Sequence, residues 1–232
     1  MAEKSLITLS RAGFAGLLTL SLLGMAGIGY ALGLTLNHSA PATAPAAAPT
    51  GTPPGSSPTP TGPFQVGQAF PFQTAVDQLN GTPTHLAQGS RATVVMAMAS
   101  WCLYCGYEDK YVLPQLAKTP GIAVDIVDVS PQGGIADPGP ENPPFSGHDG
   151  TGGPLTVPGM EQTMRQYVAT YGTLSAPNIH VYVAPSATQA AWNIQAFPTL
   201  AFVNAQGRIA VAPPGALTLS QAQTALQQTL GH

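Results

Sequence analysis

The stretch "ATVVMAMASWCLYCGYE", residues 92–108, contains the only two cysteines of the sequence, Cys102 and Cys105. Its first part, up to Ser100, is an apolar run that opens with β-branched residues. A strand buried on both faces of a sheet has this composition. After the cysteines, Tyr107, Tyr111, Val112 and Leu116 recur at helical spacing, with Pro114 as a point of kinking. Cys102 is therefore expected where a buried strand ends and a helix opens. Free amide N–H groups and the helix dipole stabilise negative charge there, and a thiol so placed can fall from about 8.5 to between about 3.5 and 7.5. Cys105, one turn on, is expected beneath it and more buried. In a redox pair, Cys102 would attack or leave and Cys105 would resolve the mixed disulfide. Half of a metal clamp and a structural staple are the other readings. The staple is the weaker, because a Cys-x-x-Cys bridge closes too short a loop to constrain the unfolded chain much. Two cysteines do not make a disulfide scaffold either.

Upstream the composition changes twice. Residues 12–36, "AGFAGLLTLSLLGMAGIGYALGLTL", carry no charge. About 25 residues at about 1.5 Å each give roughly 37 Å, enough to cross a bilayer. Lys4 and Arg11 precede the run, which predicts a cytoplasmic N-terminus over residues 1–11. A cleaved signal peptide is the rival, and "NHSAPA" offers small residues for cleavage. Its apolar region is usually about 7–15 residues, so length favours an uncleaved anchor. Residues 37–63 are dominated by Pro, Ala, Thr and Ser. This composition predicts a solvated linker, whose residues 39–63 could reach roughly 75 Å if extended. The catalytic head is then residues 64–232, on the outer face of the membrane, periplasmic or extracellular.

Within the head, "PFQTAVDQLNGTPTHLAQGS" (71–90) reads as a hairpin turning at Asn80-Gly81, followed by a short helical turn near Leu86. "IAVDIVDV" (122–129) is a second buried strand. Residues 131–158 are dense in Gly and Pro and read as a long loop. Met160, Met164, Tyr167, Val168 and Tyr171 line one face of a helix that stops at Gly172. Strands follow at 179–184, 199–204 and 209–212, the last two joined by "AQGR". Leu219, Leu226 and Leu230 mark a closing helix with Thr218 and Gln221 spaced as a capping box. Alternating strands and helices define an α/β class with a mixed central sheet flanked by helices.

"VVMAMASWCLYC" resembles the active-site strand and turn of the thioredoxin superfamily, and the segment from Pro71 to Cys102 resembles its membrane-anchored TlpA/ResA-like branch. "AAWNIQAFPTLAFVNAQGRIA" (190–210) is similar to that family's run of helix, apolar-Pro-Thr, strand, Gly turn and strand. The resemblance spans roughly residues 64–230. It implies a thioredoxin-like fold, a cis proline at Pro198 lying against the cysteines, and a docking surface built from Trp101, Leu103, Tyr104, Phe197, Pro198 and Thr199. It also implies thiol–disulfide exchange with no cofactor beyond a redox-active Cys102–Cys105 disulfide. The expected partners are thiols and disulfides of extracytoplasmic proteins and a membrane-embedded electron donor. Relatives in this branch mostly act as reductants, often for the haem-binding cysteines of apocytochrome c.

Three features depart from the pattern. Thioredoxin carries a buried acid six residues before the first cysteine, where this chain has Met96, which cannot move protons. Glu108 and Asp109 are the nearby candidates for proton transfer, although two acids on an exposed helix turn would ordinarily be solvated. The dipeptide between the cysteines is Leu103-Tyr104, closer to glutaredoxins and disulfide isomerases, so an oxidase or isomerase is the alternative direction. The 131–158 loop is long for the family.

Other classes fit less well. The sequence carries 7 Lys and Arg against 10 Asp and Glu, a formal charge of -3 without a basic stripe, which argues against nucleic acid. Only 7% of residues are charged. An acidic surrounding or an Ala/Pro/Thr-rich compositional bias would each account for that. A copper chaperone would use two thiolates and a histidine. However, such relatives show Cys-x-x-x-Cys, and His180 has no clear register with the pair. A peroxidase would have a lone attacking cysteine. Asp137, Glu141, His148 and Asp149 in the long loop read as scattered, unliganded groups, so no metal is expected. Trp192 reads as core.

Overall fold

The computed structural model describes residues 64–231. The span expected over 12–36 and the linker over 37–63 lie outside them, and among the described residues no helix is long and apolar enough to cross a membrane. The expected hairpin forms: β1 (Ala75–Gln78) pairs antiparallel with β2 (Pro83–His85) across a turn at Asn80-Gly81. The helical turn expected near Leu86 does not form. The Leu86 amide donates instead to the Phe72 carbonyl at 3.3 Å, and its side chain is buried in the core, so the segment stays extended.

The apolar run becomes β3 (Ala92–Met98), every residue of which is buried. It pairs in parallel with β4 (Ile122–Asp128), which in turn pairs in parallel with β5 (Ile179–Val183). On its other side β3 meets β6 (Thr199–Asn204) antiparallel, and β6 carries β7 (Ile209–Val211). The described residues form one mixed sheet in the order β2-β1-β5-β4-β3-β6-β7. Because side chains alternate along a strand, β3 feeds two cores. Val94, Met96 and Met98 pack on the cysteine side, with the helices. Val95 and Ala97 pack on the opposite side, with Phe70, Leu86 and Trp192.

The helical run after the cysteines has three parts: α1 (Leu103–Tyr107), a π-helical turn (Glu108–Val112) and α2 (Leu113–Leu116). Pro114 lies in the first turn of α2, where a missing N–H is tolerated, and the widened π turn just before it absorbs the mismatch. Expected as a kink, the proline thus sits behind a π bulge. Helix α3 (Val157–Tyr171) buries Met160, Met164 and Tyr167 and ends at Gly172. The short α4 (Ser186–Ala191) leads to Trp192, which is core as expected. Helix α5 (Leu219–Leu230) opens with the expected capping box, the Thr218 amide donating to Gln221 Oε1 at 2.9 Å.

Candidate active site

Cys102 is the N-cap of α1, just past the carboxyl end of β3. It is 3% exposed and Cys105 is 0% exposed, and both are free thiols. A hydrogen bond from the Cys105 side chain and the backbone amides of Cys105 and Tyr104 outweigh desolvation and pull the Cys102 thiol below its ordinary value. Burial pushes the Cys105 thiol well above its own, and Cys102 adds to the rise. Two sulfurs of the same type are thus made unlike by one turn of helix.

The segment before β6 closes the other side. The Phe197–Pro198 peptide is cis, and the Cys102 thiol points to the Phe197 carbonyl with Sγ 3.6 Å away. The Phe197 ring stands edge-on to Trp101 at 6.0 Å. Trp101 Nε1 donates to Ser130 Oγ at 3.0 Å, and the Ser130 amide donates to Asp128 Oδ1 at 3.0 Å. The end of β4 therefore fixes the tryptophan beside the cysteines. Pro198 is buried, Phe197, Leu103 and Thr199 are half-buried, and Tyr104 is 44% exposed. Thr199 Oγ1 is turned back to the Ala196 carbonyl at 2.7 Å.

Glu108 and Asp109 are not on an exposed turn. Both are fully buried, because the π turn rotates them under the sheet, and they have different neighbours. Glu108 Oε1 accepts the Leu217 amide just before α5. Asp109 Oδ2 accepts the Tyr167 hydroxyl at 2.5 Å, and its charge acts on both cysteines. Each acid keeps one oxygen without a hydrogen-bond partner. Burial pushes each carboxyl up to about 8, since an unpaired buried charge is costly. Of the two proton-transfer candidates, the structure places Asp109 on the cysteine side. Tyr171 extends this group, donating to the Ala136 carbonyl at 2.8 Å. Gly106 makes room for it, as a Cβ there would lie 2.3 Å from the Tyr171 hydroxyl.

The segment 129–156 is the least expected part of the site. Its two arms bridge each other at Gln132–Pro154 and Asp137–His148 and dock onto the cysteine motif. The Ala136 amide donates to the Ser100 carbonyl at 3.0 Å, and the Gly150 amide donates to the Trp101 carbonyl at 2.8 Å. Gly150 is required at that crossing, because a Cβ would lie 2.0 Å from the Ile135 carbonyl oxygen. Asp149 Oδ1 accepts the Leu103 amide at 2.9 Å. Phe145, in a left-handed conformation with φ of 60°, packs its ring 4.5 Å from Tyr107 and 5.7 Å from Tyr104. Of the loop groups weighed as cation ligands, Asp149 is engaged with this amide. His148 Nδ1 lies 3.8 Å from Asp137 Oδ2. Among the described residues no group of three His, Cys, Asp or Glu is placed to hold a metal ion.

Sequence reasoning missed the roles of Asp149, Phe145, Tyr167 and Asp128. A single aromatic in a Gly/Pro-rich loop and an aspartate inside the apolar run "IAVDIVDV" are the signals by which Phe145 and Asp128 could have been found. Tyr167 read only as core, and Asp149 only as one of the scattered acids of the loop.

The sheet order, the cysteines just past the end of β3 and the cis proline facing them define a thioredoxin-like fold. No family model and no curated protein matches the sequence. Among solved structures, a candidate electron transport protein of Aquifex aeolicus is similar at 14% identity and TM-score 0.50, over 72% of this chain and 100% of that one. A thioredoxin-like protein of Aeropyrum pernix is 16% identical at TM-score 0.47, over 66% and 88%. A thiol:disulfide interchange protein of Chlorobium tepidum is 16% identical at TM-score 0.43, over 68% and 93%. The described domain thus has a thioredoxin-like fold.

Proposed function

We propose that the chain is a membrane-tethered, extracytoplasmic thiol–disulfide oxidoreductase that reduces disulfides of other proteins. The observation that carries the exchange chemistry is the asymmetry of the pair, Cys102 as the N-cap of α1 with its thiol pulled below its ordinary value and Cys105 fully buried one turn on with its thiol pushed up; the reducing direction rests on the resemblance described above. The Cys102 thiolate attacks one sulfur of a substrate disulfide, forming a mixed disulfide and releasing the other sulfur as a thiolate. The Cys105 thiol then gives up its proton, with Asp109 as the acceptor, and its sulfur attacks Cys102. The second substrate thiolate leaves; two electrons have passed from the pair to the substrate, the Cys105 proton is on Asp109, and the substrate thiolates take up their protons from solvent. An acceptor raised to about 8 is better matched to a thiol than an ordinary carboxylate. Trp101, Leu103, Tyr104, Phe197, Pro198 and Thr199 frame the approach to Cys102, so an extended peptide beside the Pro198 segment is the substrate form that fits.

Tethering rests on the uncharged run 12–36, and delivery to a haem-binding cysteine pair on the resemblance described above. A membrane-embedded donor would return the electrons. The test is a trapping experiment in cells. Cys105→Ser should accumulate mixed disulfides with extracytoplasmic proteins through Cys102, and Cys102→Ser should accumulate none. Equal trapping by both variants, or by neither, would sink the assignment.

A further inference from the structure

The amide groups that open α1 are divided between two anions. Those of Tyr104 and Cys105 serve the Cys102 sulfur, and that of Leu103 is taken by the Asp149 carboxylate at 2.9 Å. Asp149 is not there by chance of a mobile side chain. The amide of Gly150, the next residue, is bonded to the Trp101 carbonyl at 2.8 Å. The opposite arm is pinned to Ser100 by Ala136 and to Tyr111 by Gly139, whose carbonyl accepts the Tyr111 hydroxyl at 2.8 Å. The insertion thus delivers a fixed negative charge to the helix end that the thiolate needs.

We propose that Asp149 is a positioning residue that holds the Cys102 thiolate less stable than the helix alone would, and so sets the pair's poise toward giving up electrons. The inference deepens the reductase reading and rests on it. The groups that face Cys102 are the Cys105 thiol, the Phe197 carbonyl, Asp109 from the π turn and Asp149 from the inserted arm. His148, beside Asp149, is turned to Asp137 instead. In the disulfide there is no thiolate for Asp149 to oppose, so its charge disfavours the reduced state alone. A less stable reduced state is a stronger reductant, because a pair becomes oxidising when its reduced form is stabilised. Oxidising the dithiol to the disulfide passes two electrons and two protons to the acceptor disulfide.

The test compares the full chain with Asp149→Asn and Asp149→Ala. Cys102 alkylation by iodoacetamide is followed against pH, and the dithiol–disulfide equilibrium is measured against glutathione. Asp149→Asn keeps an oxygen for the Leu103 amide and removes only the charge. Its alkylation midpoint should fall by roughly half a unit or more, and the equilibrium should move about threefold or more toward the dithiol, roughly 14 mV at about 30 mV per tenfold change. Asp149→Ala should show the same shifts. Both differences should shrink near 1 M salt, where the Debye length is only about 3 Å. An Asp149→Asn protein that titrates and equilibrates like wild type would overturn the inference, whatever Asp149→Ala does. A wild-type potential in the oxidant range would instead overturn the reductase reading, while the variant-to-wild-type difference would still stand or fall separately.

Discussion

Glu108 and Asp109 are adjacent in the sequence and both are buried, yet only Asp109 acts electrostatically on the cysteines. Glu108 instead receives the Leu217 amide before α5, and this separates their expected effects. Asp109→Asn should slow resolution of a Cys102 mixed disulfide by about 100-fold, the low end of what a positioned base supplies, when followed by stopped-flow release of a model thiol. Glu108→Gln should leave that rate unchanged, because its oxygen still accepts the Leu217 amide and it does not face the sulfurs. Equal slowing in both variants would remove Asp109 from the mechanism. Cys102 and Cys105 were legible from their spacing and from the strand before them. The burial of the acids was not, because the π turn that rotates them inward is set by packing against α3 and α5 rather than by any local signal.

At the scale of elements, the contact between α1 and α3 depends on one missing side chain. The Tyr171 hydroxyl passes over Gly106 to reach Ala136. Gly106→Ala should therefore cost about 1–3 kcal/mol, the usual penalty of overpacking, read as a lower denaturant midpoint. Tyr171→Phe combined with Gly106→Ala should recover part of that loss, since the colliding oxygen is gone. The strands, the Asn80-Gly81 hairpin and the capping box of α5 were readable because each is written in consecutive residues. The inserted segment 129–156 was readable only as a loop. Its partners are Ser100, Trp101 and Leu103, some 28 to 50 positions away, and no periodicity encodes a contact of that kind.

For the whole molecule, the decisive property is its stock of buried acids. Glu108, Asp109, Asp125 and Asp128 are each pushed up to about 8 by burial. A carboxyl raised on folding binds its proton more tightly in the folded state. Its stabilising contribution is complete below the unfolded value near 4 and is lost as pH rises from there to about 8. Each such group can change stability by up to about 1.4 kcal/mol per pH unit in that window. The thermal midpoint should therefore fall steadily between pH 5 and pH 8, and Glu108→Gln should flatten the fall while matching wild type near pH 5. A midpoint that rises over the same range would contradict the burial of these groups.

The direction in which the Cys102–Cys105 pair moves electrons decides what the protein does. The most direct measurement is the reduction potential of the chain at equilibrium with glutathione. A reductase should show a value of about -250 mV or below, in the range of thioredoxin-type reductants. A value near about -150 mV, between those of isomerases and strong oxidants, would contradict the reductase reading and make the pair a donor of disulfides.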